Sequence, residues 1–66
     1  MQRLRVFIIE DDSLFRSGLE LVIGAEEDMR VVGSVGDGAE GMAMLKQQRP
    51  DIVILDMQMP GMDGIA

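Results

Sequence analysis

The sequence predicts a small α/β domain built on a parallel sheet, and three observations lead there. First, Leu4 to Ile9, Met29 to Val35 and Asp51 to Leu55 are short runs rich in apolar and β-branched residues, bounded by polar, Gly or Pro residues. Second, the stretches between them show helical apolar spacing and are about as long as the crossovers that parallel neighbours require. Third, the first and last runs stop abruptly on carboxylates, Glu10-Asp11-Asp12 and Asp56. In open α/β sheets the carboxyl ends of the strands form the rim where ligands bind.

Strand one, about residues 4–9, is β-branched and aromatic. Ser13 is the expected N-cap of helix one, about 14–24, with the Asp12 charge beside it suiting the helix dipole. Phe15, Leu19, Val22 and Ile23 fall on one helical stripe and are expected in the core, with Arg16, Ser17 and Glu20 on the other side. Gly24 is the expected C-cap, and Ala25 to Asp28 a polar loop. Strand two, about 29–35, is followed by a Gly36-Asp37-Gly38 turn. In helix two, about 39–48, Gly41, Met42 and Leu45 follow Gly38 at the spacing of a buried face, and Gly41 allows close approach to a sheet. Pro50 ends that helix. Strand three, about 51–56, contains Ile52-Val53-Ile54-Leu55, a continuous apolar run suited to burial on both faces. Right-handed crossovers put the two helices on opposite faces if strand one lies between the other two.

Sixty-six residues make one small domain with a thin core. The absence of Cys and His excludes disulfides, the usual zinc sites, and His-based acid–base or nucleophilic catalysis. Six basic against twelve acidic residues, net charge −6, offer no electrostatic footprint for nucleic acid, and two Phe with no Trp or Tyr offer little for base stacking. No apolar stretch is long enough to span a bilayer and the N-terminus has no signal-peptide pattern, so a cytoplasmic protein without membrane contact is expected.

If strands one and three are neighbours, Glu10, Asp11 and Asp56 come together. Three carboxylates in one pocket repel unless a cation neutralises them. Oxygen ligands without His or Cys select Mg²⁺, Mn²⁺ or Ca²⁺. Mg²⁺ suits a site that handles phosphoryl groups, where a carboxylate can itself be the nucleophile. The plainer alternative is that acidic strand ends are only helix caps and a solvated rim. Met57, Met59 and Met62 match the soft ligands of a Cu(I) site, or else pack against the loop and a neighbouring helix.

Two blocks carry a family resemblance. Val6-Phe7-Ile8-Ile9-Glu10-Asp11-Asp12 with Leu14-Phe15-Arg16, and Arg49-Pro50-Asp51 through Leu55-Asp56-Met57-Gln58-Met59-Pro60-Gly61-Met62-Asp63-Gly64, closely resemble the response-regulator receiver domain of two-component signalling. Val31 to Glu40 is similar to the subfamily with LuxR-type helix-turn-helix output domains. The resemblance implies a flavodoxin-like doubly wound sheet of strand order 2-1-3-4-5. It implies Asp56 as phosphoacceptor, Asp11 and the backbone carbonyl of Gln58 as Mg²⁺ ligands together with Asp56, and Glu10 in the outer metal shell. Pro60 and Gly61 would shape the loop after the acceptor, and Asp12 would be a helix-start charge.

The implied partner is a sensor histidine kinase, whose phosphohistidine supplies the phosphoryl group. The implied role is that of a phosphoacceptor controlling transcription through a DNA-binding domain, rather than an enzyme acting on a separate substrate. Family members also use a Thr or Ser ending strand four and a Lys ending strand five, and this chain stops at Ala66. The expectation is therefore the first half of a receiver, truncated before strands four and five, with strand order 2-1-3 and impaired transfer. Lys46, the sole Lys, points outward in the helical register and is no substitute. An uncovered strand-three edge would favour a homodimer. The alternative is a half-receiver that cannot be phosphorylated and serves as an oligomerising interaction module.

Overall fold

The computed structural model describes residues 3–55. The chain runs β1 (Leu4–Ile9), α1 (Ser13–Gly24), β2 (Met29–Val35), α2 (Gly38–Gln48) and β3 (Ile52–Leu55). All pairing is parallel, in the order β2-β1-β3. The β-α-β-α-β order and the central place of the first strand are those expected.

β1 is the central strand of the described sheet, and side chains pack on both of its faces. Val6, Phe7, Ile8 and Ile9 are all 0% exposed, and successive side chains point to opposite faces. Val6 and Ile8 pack with Ile23 of α1, flanked by Leu19, Met29, Val31 and Ile54. Phe7 and Ile9 pack with Val35, flanked by Val32, Met44, Leu45 and Leu55, beneath α2. The helices thus lie on opposite faces, as right-handed crossovers from a central strand demand.

The β1–β2 register shifts where Val6 pairs with Val31 but Phe7 pairs with Gly33. Val32 is the extra residue of a bulge, and one extra residue reverses which side chains face which layer. Val31 therefore joins the α1 layer and Val35 the α2 layer. The shift also places Ser34 on the α1 side, where its hydroxyl donates to Glu20 at 2.7 Å.

Several local expectations are corrected. The run buried on both faces is β1 and not β3, where Ile52 and Val53 are 37% and 42% exposed. β3 is an edge strand among the described residues, with β1 its single partner. Asp51 lies before β3. Its N–H donates to the Arg5 carbonyl at 2.8 Å and its carboxylate accepts from the Arg5 N–H at 2.8 Å. The Arg5 guanidinium donates to the Arg49 carbonyl at 3.0 Å and to Gln48 Oε1 at 3.4 Å. This clamp joins the α2–β3 link to β1 just ahead of the Val6–Ile52 pair.

The helix ends also differ. Asp12, not Ser13, caps α1, because its extended backbone lets the carboxylate accept from Leu14 N at 3.0 Å and Phe15 N at 3.1 Å. Gly24 is the last helical residue, followed by a right-handed Ala25 whose N–H donates to the Leu21 carbonyl at 3.1 Å. α2 begins one residue early, capped by Asp37 through Ala39 N at 2.9 Å. It ends at Gln48, followed by Arg49 as a left-handed cap at φ 47°, where the following Pro50 disfavours another helical residue.

Neither helix presents its whole apolar stripe to the sheet. Ile23 is buried and Leu19 half-buried, but Phe15 and Val22 are 58% and 66% exposed. At about 100° per residue, Leu19 and Arg16 sit roughly 40° and 20° to either side of Ile23, while Phe15 and Val22 sit roughly 80° and 100° away. The edge of the stripe meets the sheet, and Arg16 turns inward with it while Glu20 stays exposed and accepts from Ser34. In α2, Gly41 is buried, Leu45 and Met44 half-buried, and Met42 exposed. Met42 is about 100° from Gly41, whereas Leu45 and Met44 are about 40° and 60° away.

Gly41 does bring α2 onto the sheet. A Cβ there would meet Ile9 Cδ1 at 2.7 Å and Val35 Cγ2 at 3.1 Å, both in a packed core, whereas one on Gly18 would meet nothing within 4 Å. Two Gly→Ala changes in helices should therefore have opposite signs. Gly18→Ala should stabilise the chain by about 1 kcal/mol through helix propensity. Gly41→Ala should destabilise it, because overpacking of about 1–3 kcal/mol meets or exceeds that same gain. Urea unfolding midpoints of the two variants check this.

Candidate functional site

The acidic rim forms where β1 leaves the sheet. Glu10 follows four fully buried residues and is itself only 5% exposed. Its N–H donates to the Val35 carbonyl at 3.0 Å, so the β1–β2 ladder continues to this residue. Its Oε2 accepts from the Asp12 N–H at 3.0 Å, and its carbonyl accepts from Arg16 Nη1 at 2.7 Å. Asp11 stands next to it and is exposed. The structure thus places the two acids side by side at the C-terminal end of the central strand, one anchored and one facing solvent.

The other rim acids have structural duties. Asp12 caps α1 through two backbone N–H groups, and Asp37 caps α2. The capping explanation therefore holds for these two, while Glu10 and Asp11 cap neither helix. Among the described residues no cluster of three or more acidic, His or Cys side chains forms a metal cage. Asp56 and Gln58, together with Pro60, Gly61 and the methionines Met57, Met59 and Met62, lie outside the described residues. The nearest described position is Leu55, which pairs with Ile9. These two residues directly precede Asp56 and Glu10 in the sequence.

Arg16 is the residue that sequence reasoning missed. An amphipathic reading assigned it to the polar side of α1, yet it is half-buried and reaches the rim. Its signal was positional: it lies two turns before Ile23, the helix's one buried residue, so both share a line along the helix.

A doubly wound parallel sheet with an acidic pair at the carboxyl end of its central strand defines an α/β protein with its site on the strand-end rim. The chain belongs to the response regulator receiver domain family, whose model matches residues 6–66. It is 43% identical over 63 residues to the transcriptional regulatory protein YxjL of Bacillus subtilis (strain 168), covering 96% of this chain and 29% of YxjL. It is 38% identical over 65 residues to protein-glutamate methylesterase/protein-glutamine glutaminase 1 of Caulobacter vibrioides, covering 98% of this chain and 19% of that protein. Among solved structures, the signal receiver domain of the response regulator NarL from Mycobacterium tuberculosis superposes with a TM-score of 0.88 at 34% identity, covering 92% of this chain and 49% of that one. The chain spans less than a third of the length of these curated relatives. No helix among the described residues is long and apolar enough to cross a membrane.

Replacing Asp12 tests the division between capping and site acids. Asp12→Ala should lower stability by about 1 kcal/mol, and Asp12→Asn should stay near the parent because Asn caps equally well. Thermal unfolding of the pair measures the difference.

Proposed function

We propose that this chain is the phosphoacceptor segment of a two-component response regulator, with Asp56 as acceptor and a sensor histidine kinase as donor. The observation that carries the reading is the Glu10–Asp11 pair at the end of the fully buried strand, in a register that pairs Ile9 with Leu55. A carboxylate oxygen of Asp56 attacks the phosphorus of the kinase's phosphohistidine. The new O–P bond forms as the P–N bond breaks, and the electron pair leaves with the imidazole nitrogen, which takes up a proton. Hydrolysis of the aspartyl phosphate returns the carboxylate and inorganic phosphate. The chain is thus a phosphoacceptor and not an enzyme with a separate substrate.

The donor chemistry at the rim fits Mg²⁺, with Mn²⁺ as a substitute. Paired carboxylates in a chain without His or Cys are hard oxygen ligands. Asp11 would be a direct ligand with Asp56 and the Gln58 backbone carbonyl, and Glu10 would support them from the outer shell. When bound, the ion offsets charge on the transferring phosphoryl group. Glu10, held through its N–H, carbonyl and carboxylate, keeps the rim from rearranging under that load. Similarity to YxjL supports a transcriptional role exerted through a DNA-binding domain, and cytoplasmic residence goes with this reading.

Incubation of the chain with Mg²⁺ and acetyl phosphate, followed by intact-mass spectrometry, tests the assignment. A phosphoryl adduct, at most one per chain, is expected, absent in Asp56→Asn and after chelation of the metal. A folded chain that takes up no phosphoryl group would instead favour a non-phosphorylatable interaction module.

A homodimer through the β3 edge is the second part of the proposal. Exposed Ile52 and Val53 on a strand with one described partner support it. Light scattering at micromolar concentration should give twice the monomer mass, and a monodisperse monomer overturns it.

A further inference from the structure

We propose that Arg16 is a positioning residue for the acidic pair, and that Gly36 provides the space its guanidinium occupies. The inference rests on the metal-binding reading above. Arg16 Nη1 donates at 2.7 Å to the carbonyl of Glu10, the oxygen of the peptide unit that joins Glu10 to Asp11. Because that unit is planar, holding its oxygen also fixes the N–H of Asp11 and the direction in which Asp11 leaves the strand. The preceding peptide is fixed as well, since the Glu10 N–H is held by Val35. Asp11 is exposed, so its direction is set by these peptide planes and not by packing around its own side chain.

Gly36 completes the device from the other side. A Cβ at Gly36 would lie 2.7 Å from Arg16 Nη1 but 3.6 Å, an ordinary contact, from the Glu10 carbonyl oxygen. Gly36 does not adopt a left-handed backbone, so what glycine supplies there is room. The atom a methyl group would strike is the far end of a flexible side chain. Gly36→Ala should therefore displace the guanidinium without disturbing the fold. Its bond to a backbone carbonyl secures the guanidinium at the strand end that carries the two acids.

The test is Mn²⁺ binding to the full chain, read by electron paramagnetic resonance of free Mn²⁺, with Asp11→Asn as a control that should lose binding. Arg16→Met should weaken Mn²⁺ about tenfold, as loss of an outer-shell support does, with the unfolding midpoint unchanged. Arg16→Lys should restore most of the affinity, because a cationic donor returns. Gly36→Ala should weaken binding in the parent and add nothing in the Arg16→Met background. Should Arg16→Met fail to fold, Gly36→Ala carries the test alone. Unchanged Mn²⁺ affinity in both variants, with binding lost in Asp11→Asn, would overturn the positioning role and leave the metal reading standing. An affinity loss that tracks the unfolding midpoint and is not recovered by Lys would reduce Arg16 to a structural tether. A parent chain that takes no Mn²⁺ overturns the metal reading itself, and the positioning role falls with it.

Discussion

Four consecutive residues of β1, Val6 to Ile9, are closed to water on both faces, and a strand pairs with them on either side. A parallel strand in that position cannot be reached by hairpins, so each neighbour requires a helical crossover. Right-handed crossovers to opposite edges then assign α1 to one face and α2 to the other. The layering, the strand order and the direction of the strand ends all follow from covering this one strand. The burial falls away from it quickly. β3 is half-open, and each helix touches the sheet along a narrow line. Among the described residues the dry core is little more than β1 and what lies directly on it.

The rim inherits its order from the same strand. Glu10 is buried because it continues β1, and the ladder to Val35 extends through its N–H. Beyond that residue the chain turns toward α1, and acids there have competing uses. Asp12 is consumed by capping, as is Asp37 at the matching point after β2. What separates Glu10 and Asp11 from these is therefore hydrogen-bond geometry and not charge. A count of carboxylates along the rim would overstate the acids available to a cation by including the caps.

How much of this was legible in the sequence depended on the length scale of each signal. Element order and parallel topology were readable because apolar runs such as Val6 to Ile9 and the intervening helical spacing are repeated over many residues. Features decided by single contacts were not. The Val32 bulge is a parity change within the run Val31-Val32-Gly33, where adjacent apolar residues hide which face each takes. Asp12 and Ser13 are both good caps, and their order was settled by which backbone is extended. The stripe on α1 was recognised, but its rotation was not, because periodicity gives a direction for the apolar moment and not the line of contact. Arg16 was misassigned for that reason. The acidic pair was found by its place after β1, whereas the roles given to Asp56 and Gln58 rest on the motif, since both lie outside the described residues.

The relatives narrow what this segment can contribute. Nearly the same stretch is matched in a transcriptional regulator at 43% identity and in a protein-glutamate methylesterase at 38%. The names of these two proteins describe different outputs, so what they share with this chain assigns neither output to it. What is shared is sequence, and in this chain that sequence folds as a sheet whose central strand delivers acids to a rim. In this chain the described part of that rim depends on strand burial and on a few backbone hydrogen bonds. Fold alone would not justify assigning a function. A property common to proteins with unlike outputs is independent of those outputs. Among the described residues of this rim, Glu10 and Asp11 are the acids that cap neither helix, with Arg16 bonded to the peptide between them.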